Sequence, residues 1–500
     1  MSSLFSSYLL LLLLYFKCAA STSPTCSQLQ ATRPDIETVF EGQADYTDIN
    51  NAYWSTACSA EKPACIILPS SAQQLSDVIL IINENSEAFA VKSGGHTPNC
   101  YSSISGGPLI ATKRMNQVVL DNDTQSVDVG PGNRWMDVTA ALEGTGMMVV
   151  GGRMGEVGVS GLLLGGGLSY LSGQYGWAAN NVLEFEVVLS NGTIVKASET
   201  ENPDLWAALR GGGADFGFVT NFKLRAWPQD HNIWGGIRVF ANTETPLVLD
   251  AVRSFTANYE NYPKAGIIAT TDLTLENLLD IWIVFMFYDA PTPPDGVFDA
   301  FDAIPTLLDL TQTRTMNDML LFDNTFVLKG SIYTIATETM PLPNATEGAV
   351  VMNGIYDAWH EVANKAHDVA GAIVSMALQP LPKMIIQKAQ ELGGVVMDFD
   401  ADVDRIVIEL DYSHWFAADH PLIDQLTVET YSTLGYKVKE FQDAGLLPSN
   451  VHLPLFMNDA YFKQDYWGRL KPETTAKFKA IQEKYDPLGI LLSRTQGFHV

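Results

Sequence analysis

The chain has 500 residues, 47% of them hydrophobic and 17% charged, with a formal net charge of −27 at pH 7. Its 30 Lys and Arg against 57 Asp and Glu exclude a nucleic-acid binder, which needs a basic surface to displace counterions, and disfavour an anionic membrane surface. The acidity reads as surface solubility, with no nucleic-acid or membrane partner, and a chain of this length is expected to hold two domains rather than one core.

Residues 1–20 read as a secretory signal peptide. A polar start, Met1 to Ser7, precedes a leucine-rich core, Tyr8 to Phe16, and the small residues Cys18-Ala19-Ala20. That core is too short to span a bilayer, so the mature protein is expected to be secreted. Cys26, Cys58, Cys65 and Cys100 remain after cleavage. In an oxidising compartment they are expected to form two disulfides, with three connectivities open. Sequons at Asn122, Asn191 and Asn344 agree with export.

Residues 21–228 read as a first, mixed α+β domain. Strands are expected at Cys65–Leu68, Pro108–Ala111, Ser126–Val129, Met147–Val150, Leu183–Leu189 and Gly217–Thr220. Between them, Ser71–Asn85 carries Leu75, Val78, Ile79 and Ile82 at helical spacing; Trp135–Gly144 and Pro203–Leu209 look similar. Residues 229–450 change character. Longer alternating strands, Leu278–Phe287 and Arg405–Trp415, lie among helical segments at Pro246–Asn258, Asp295–Ile304 and Met352–Val369. This predicts a second domain with an antiparallel sheet covered by helices. Two proline-rich stretches, 290–294 and 379–382, are expected to be surface connections. Residues 451–500 return to a loop-and-helix pattern.

The chemistry concentrates in glycine. Phe89-Ala90-Val91 reads as a short buried strand that breaks into Lys92-Ser93-Gly94-Gly95-His96. Glycines past a strand let backbone N–H groups approach a ligand closely and form an anion-binding concavity. Three more glycine-rich stretches follow, at 151–161, 165–167 and 211–217. Together they suggest a long ligand held mainly by backbone, as an extended dinucleotide would be. GxGxxG at the head of a βαβ unit is missing, so a Rossmann fold is not expected.

Val91 to His96, Gly158-Val159-Ser160-Gly161 and Asp204 to Gly213, in that order and spacing, resemble the FAD-binding domain of the vanillyl-alcohol-oxidase (PCMH-type) flavoproteins. The tail residues Met457-Asn458-Asp459-Ala460, Tyr485-Asp486-Pro487 and Gly497-Phe498 resemble secreted, berberine-bridge-enzyme-like members of fungal secondary metabolism. The resemblance implies FAD bonded covalently through His96. It places Lys92, Ser93, Gly94 and Gly95 at the pyrophosphate, and Val157, Gly158, Val159 and Gly161 beside the isoalloxazine. Val219 falls near the adenosine half, and Asn458 joins the cofactor-binding set. Met154 stands where doubly linked members carry cysteine, so a single link is expected. Val157 sits at the position resembling the oxygen gate, where a small side chain leaves room for O2.

For the substrate, the strand Arg405–Trp415 alternates, so Ile408, Leu410, Tyr412 and His414 share a face. If that face looks at the flavin, Tyr412 and His414 are candidate catalytic residues. The run Asp398, Asp400, Asp402 and Asp404 reads as an acidic turn rather than a metal loop, and no metal is expected. The expected function is a secreted FAD-dependent oxidase acting on a small hydrophobic secondary metabolite, with O2 as electron acceptor. A carbohydrate oxidase of the same fold and a redox-neutral flavin-bearing cyclase or binding protein are the alternatives.

Overall fold

The computed structural model describes residues 23–274 and 279–500; the leader expected over residues 1–20 lies outside the described residues. Strands β1 (Glu37–Val39), β2 (Cys65–Leu68), β3 (Ala90–Lys92) and β4 (Pro108–Ala111) form one sheet in the order β1-β2-β4-β3. Within it β2, β4 and β3 run parallel. Helix Ala72–Asn85 links β2 to β3; the Ser71 side chain accepts from Gln74 N at its start, and Leu75, Val78, Ile79 and Ile82 are buried. The apolar stripe read from the sequence thus faces the core.

Strands β5 (Val118–Asp121), β6 (Ser126–Val129), β7 (Met147–Met148), β8 (Val182–Val188), β9 (Ile194–Ser198), β10 (Phe218–Arg225) and β11 (Trp227–Pro228) follow. Five of them make an antiparallel sheet, β5-β6-β10-β8-β9, and β7 pairs with β11. The disulfides are Cys26–Cys65 and Cys58–Cys100. The first pins the N-terminal helix Pro24–Thr32 to β2; the second ties the segment after His96 to helix Thr56–Ala60.

Strands β12 (Ile233–Ala241), β13 (Ala265–Thr274), β14 (Leu279–Tyr288), β15 (Thr306–Asp309), β16 (Gln312–Arg314), β17 (Ile332–Pro341), β18 (Ile373–Leu381) and β19 (Arg405–His414) build one large sheet. Its order is β15-β12-β14-β13-β18-β19-β17, with β16 beside β12. Helices Thr245–Ala257, Gly348–Ala363 and His420–Asp443 cover one face, and Trp282, Val284, Met286, Ile408, Leu410 and Tyr412 pack beneath them. Their strand neighbours Ile283, Phe285, Glu409 and Asp411 point the other way, toward the glycine-rich half, as the period of two requires.

Two expectations are corrected. Gln379, Pro380 and Leu381 are not a surface connection; they end β18 and are buried. Pro380 is tolerated because β13 pairs with β18 only as far as Leu378, so no neighbour on that side needs the missing N–H. The helix expected over Asp295–Ile304 shrinks to Asp299–Asp302, because Gly296 turns with φ 93° and its N–H donates to Asp299 Oδ1.

The tail crosses back to the glycine-rich N-terminal half of the chain. Tyr485 Oη donates to Asp204 Oδ1 at 2.7 Å, and Val500 N donates to Asp215 Oδ2 at 2.9 Å. Asn99 is held by Ala460 O and Phe462 N, which fixes the stretch after His96 against this returning segment.

Candidate active site

A cavity of about 710 Å³ lies between the glycine-rich loops and the face of the large sheet opposite the helices. Its two walls are built on different principles. On the first wall, backbone meets backbone. A Cβ on Gly94 would lie 2.5 Å from Gly158 Cα and N, and one on Gly158 would lie 2.5 Å from Gly94 N. Neither position has room for a side chain. Asn458 braces the same wall: its Nδ2 donates to Gly161 O at 2.9 Å and its Oδ1 accepts from Gly167 N at 3.0 Å.

His96 stands at the edge of this cradle. Its ring stacks on Trp54 (centroids 4.6 Å apart, 18° between planes), and Trp54 stacks in turn on Tyr333 at 4.1 Å. The Trp54 backbone N donates to Gly95 O, and its indole N–H donates to Leu328 O. His96 lines the cavity, and its Nε2 is buried with no hydrogen-bond partner among the described residues. Enclosure by protein, with Arg134 nearby, pushes its pKa down to about 4. The imidazole is therefore neutral at pH 7, with ring chemistry unspent on the protein.

The second wall is made of side chains. Gln379 Nε2 bridges Glu409 Oε2 (3.1 Å) and Asp459 Oδ2 (2.7 Å), while Arg153 donates to Gln379 Oε1. Burial raises the pKa of Glu409, and burial with the Glu409 charge raises that of Asp459 well above the usual carboxylate range. Asp411 is raised strongly too, by burial and then by Glu409, Asp459 and Asp272. Around these carboxylates the wall is apolar, with Ile268, Ile283, Phe285, Ile335 and Phe456. Paired carboxylates with raised pKa in an apolar cavity can accept or hold a proton at neutral pH.

The structure brings most of the sequence-predicted residues together. Ser93, Gly94, Gly95 and His96 line the cavity, as do Val157, Gly158 and Gly161, and Val219 and Asn458. Lys92 packs behind the cradle, its Cε 2.9 Å from where a Cβ on Gly95 would lie. Val91 takes the cavity side of β3, so Lys92 turns away and sets its ammonium 4.6 Å over the Tyr53 ring, where burial lowers its pKa to about 7. Val159, at the start of helix Val159–Leu164, turns its side chain fully into the core while Gly158 and Gly161 face the cavity.

Tyr412 and His414 are placed on the wrong side of the sheet for catalysis at this cavity. Tyr412 Oη shares a 2.5 Å hydrogen bond with Thr430 Oγ1 of helix His420–Asp443, and His414 stacks on His420 at 5.3 Å. A shift of one residue exchanges the faces of a strand, so Glu409 and Asp411 are the residues that β19 presents. The acidic run is tied down by basic side chains: Asp400 pairs with Arg405 (3.3 Å) and Lys471 (3.0 Å), and Asp398 shares a hydrogen bond with His452 Nε2.

The residues fit FAD: the cradle excludes side chains, and beside it lies a neutral imidazole whose Nε2 has no partner among the described residues. Fold and cavity together define a two-part FAD-binding oxidoreductase. Residues 63–198 match the FAD binding domain family model. The chain is 40% identical over 477 residues to an uncharacterized FAD-linked oxidoreductase of Arthroderma benhamiae, covering 95% of this chain and 94% of that one. Berberine bridge enzyme from Eschscholzia californica superposes with a TM-score of 0.72 at 15% identity, covering 95% of this chain and 98% of its own. A carbohydrate oxidase from Microdochium nivale gives a TM-score of 0.73 at 19% identity, covering 93% of this chain and 98% of its own. The chain belongs to the FAD-linked oxidoreductases, and it shares the fold of berberine bridge enzyme.

Proposed function

We propose that this chain is an exported oxidase that carries FAD on a single covalent link through His96 and oxidises a small hydrophobic metabolite. The observation that carries the reading is His96 Nε2, buried, neutral and without a partner among the described residues, at the junction of the glycine cradle and the cavity. Ser93, Gly94 and Gly95 hold the pyrophosphate with backbone groups, and Val157, Gly158 and Gly161 run beside the isoalloxazine, with Val219 toward the adenosine. Met154 lines the same cavity and has no thiol to offer, so the link stays single.

Bound FAD supplies a hydride acceptor at N5 and a route by which two electrons reach O2 as H2O2. Glu409 and Asp459, bridged by Gln379, accept the proton that leaves the substrate. Val157 leaves space for O2. The apolar flanks Ile283, Phe285 and Ile335 favour a lipophilic substrate over an oligosaccharide, which would need a more open, polar groove. Export is supported by the two disulfides and by Asn122, Asn191 and Asn344, all of them exposed.

The test is anaerobic mixing of the purified holoenzyme with a panel of lipophilic alcohols and amines and of sugars. Bleaching of the flavin by a lipophilic compound, and stoichiometric H2O2 on admitting air, is the expected result. Bleaching by sugars alone supports the carbohydrate oxidase instead. Bleaching that air does not reverse makes the protein a dehydrogenase.

A further inference from the structure

The sheet wall holds more acid than a proton-accepting pair requires. Ile281 of β14, Asp272 of β13, Ser375 of β18, Asp411 of β19 and Ile335 of β17 are register partners in one row across the sheet. All five line the cavity. With strands about 4.8 Å apart, Asp272 and Asp411 stand roughly 10 Å apart at their Cα atoms with Ser375 between them. Ser375 Oγ donates to Asp272 Oδ1. Asp411 has no such help: its Oδ1 is sealed from solvent without a partner among the described residues. Arg153 is the one Lys or Arg lining the cavity among the described residues, and it is engaged with Gln379, outside this row.

A carboxyl group with one oxygen sealed and unpartnered, beside three other acids, resists ionisation unless something of opposite charge meets it. We propose that the Asp272–Ser375–Asp411 row is an ammonium seat, so that the substrate is a hydrophobic amine bound in its protonated form. Asp411 takes the N–H donors on its other oxygen, Oδ2, and Asp272, oriented by Ser375, closes the far side. The hydrocarbon skeleton rests on Ile281 and Ile335 at the ends of the row. The chain's net charge of −27 adds a field that draws cations toward such a cavity. The proposal rests on the reading of this cavity as the substrate site and deepens it: Glu409 and Asp459 serve proton transfer, and the adjacent row selects the substrate's charge.

The experiment is anaerobic titration of the holoenzyme at pH 7.5, following the flavin absorbance, with 1-naphthylmethylamine, 1-naphthylmethanol and 1-naphthoate. The amine is expected to bind at least tenfold tighter than the alcohol, and the naphthoate to give no change. Asp411→Asn should weaken the amine tenfold or more and the alcohol less than twofold; Asp272→Asn should weaken the amine by a smaller factor. Asp411→Asn should melt at or above the wild-type temperature, which separates lost recognition from lost folding. Equal binding of amine and alcohol overturns the proposal, as does unchanged selectivity in Asp411→Asn, or no spectral response to the amine at millimolar concentration. Wild-type protein that lacks flavin refutes the reading of the site itself, a distinct result.

Discussion

The two walls of the cavity differ in what they ask of the chain. The glycine wall is built where side chains are forbidden: Gly94 and Gly158 approach so closely that neither tolerates a Cβ. The sheet wall is built from side chains on one face of strands that are buried on both faces, with Glu409 and Asp411 turned to the cavity and Leu410 and Tyr412 to the helices. The first wall fits a group common to the whole family, so its demands are on backbone. On the reading proposed above, the second receives the substrate, so its demands are on the identity of a few side chains. Cofactor and substrate specificity can then change independently.

The comparison can be broken by substitution. The largest effect is expected on the sheet wall: Glu409→Gln removes a proton acceptor and should lower kcat by about 100-fold or more, with flavin content unchanged, measured by stopped-flow flavin reduction. If kcat holds, the base lies elsewhere. Next, Gly94→Ala should cost about 3 kcal/mol or more in thermal or denaturant unfolding, since its methyl meets backbone that cannot yield. Gly161→Ala, whose Cβ meets nothing within 4 Å, should stay within about 0.5 kcal/mol. Equal effects at the two positions would remove the case for a packed cradle.

A smaller effect sharpens the contrast by its pH dependence. Asp411 has its pKa raised in the folded protein, first by burial and then by Glu409, Asp459 and Asp272. The folded state therefore binds a proton more tightly there than the unfolded state, and stability is lost as pH rises above about 4, the unfolded carboxylate value. Asp411→Asn should remove that loss: no stability gain near pH 3, and a gain of about 1–2 kcal/mol near neutrality, read from melting curves across pH. The smallest effect lies on the helix-covered face. Tyr412→Phe forfeits the bond to Thr430 and should cost about 1 kcal/mol of stability while leaving kcat unchanged.

The same division explains what could be read from the sequence. Gly94-Gly95-His96 and Gly158 were legible because a need for glycine shows in the residue type itself, whatever face it lies on. β2, β4 and β6 match the expected spans residue for residue because each is a short apolar or β-branched run between turns. The strand Arg405–His414 was legible as a strand, but not which of its faces meets the cavity. Tyr412 and His414 are fully buried, so apolar alternation identified the helix-covered face as readily as the functional one. The mid-strand carboxylates Glu409 and Asp411 were the available signal, since acids survive inside a sheet only where they are used or paired. The disulfide pairing depends on bringing Cys26 to β2 and Cys58 to Cys100, which no local pattern encodes.

The most direct measurement is acid precipitation of purified wild-type protein and of His96→Ala, with flavin absorbance read in pellet and supernatant. The account predicts yellow colour that precipitates with the wild type and is released from, or absent in, the variant. Wild-type flavin that stays in the supernatant, or flavin that still precipitates with His96→Ala, would contradict it.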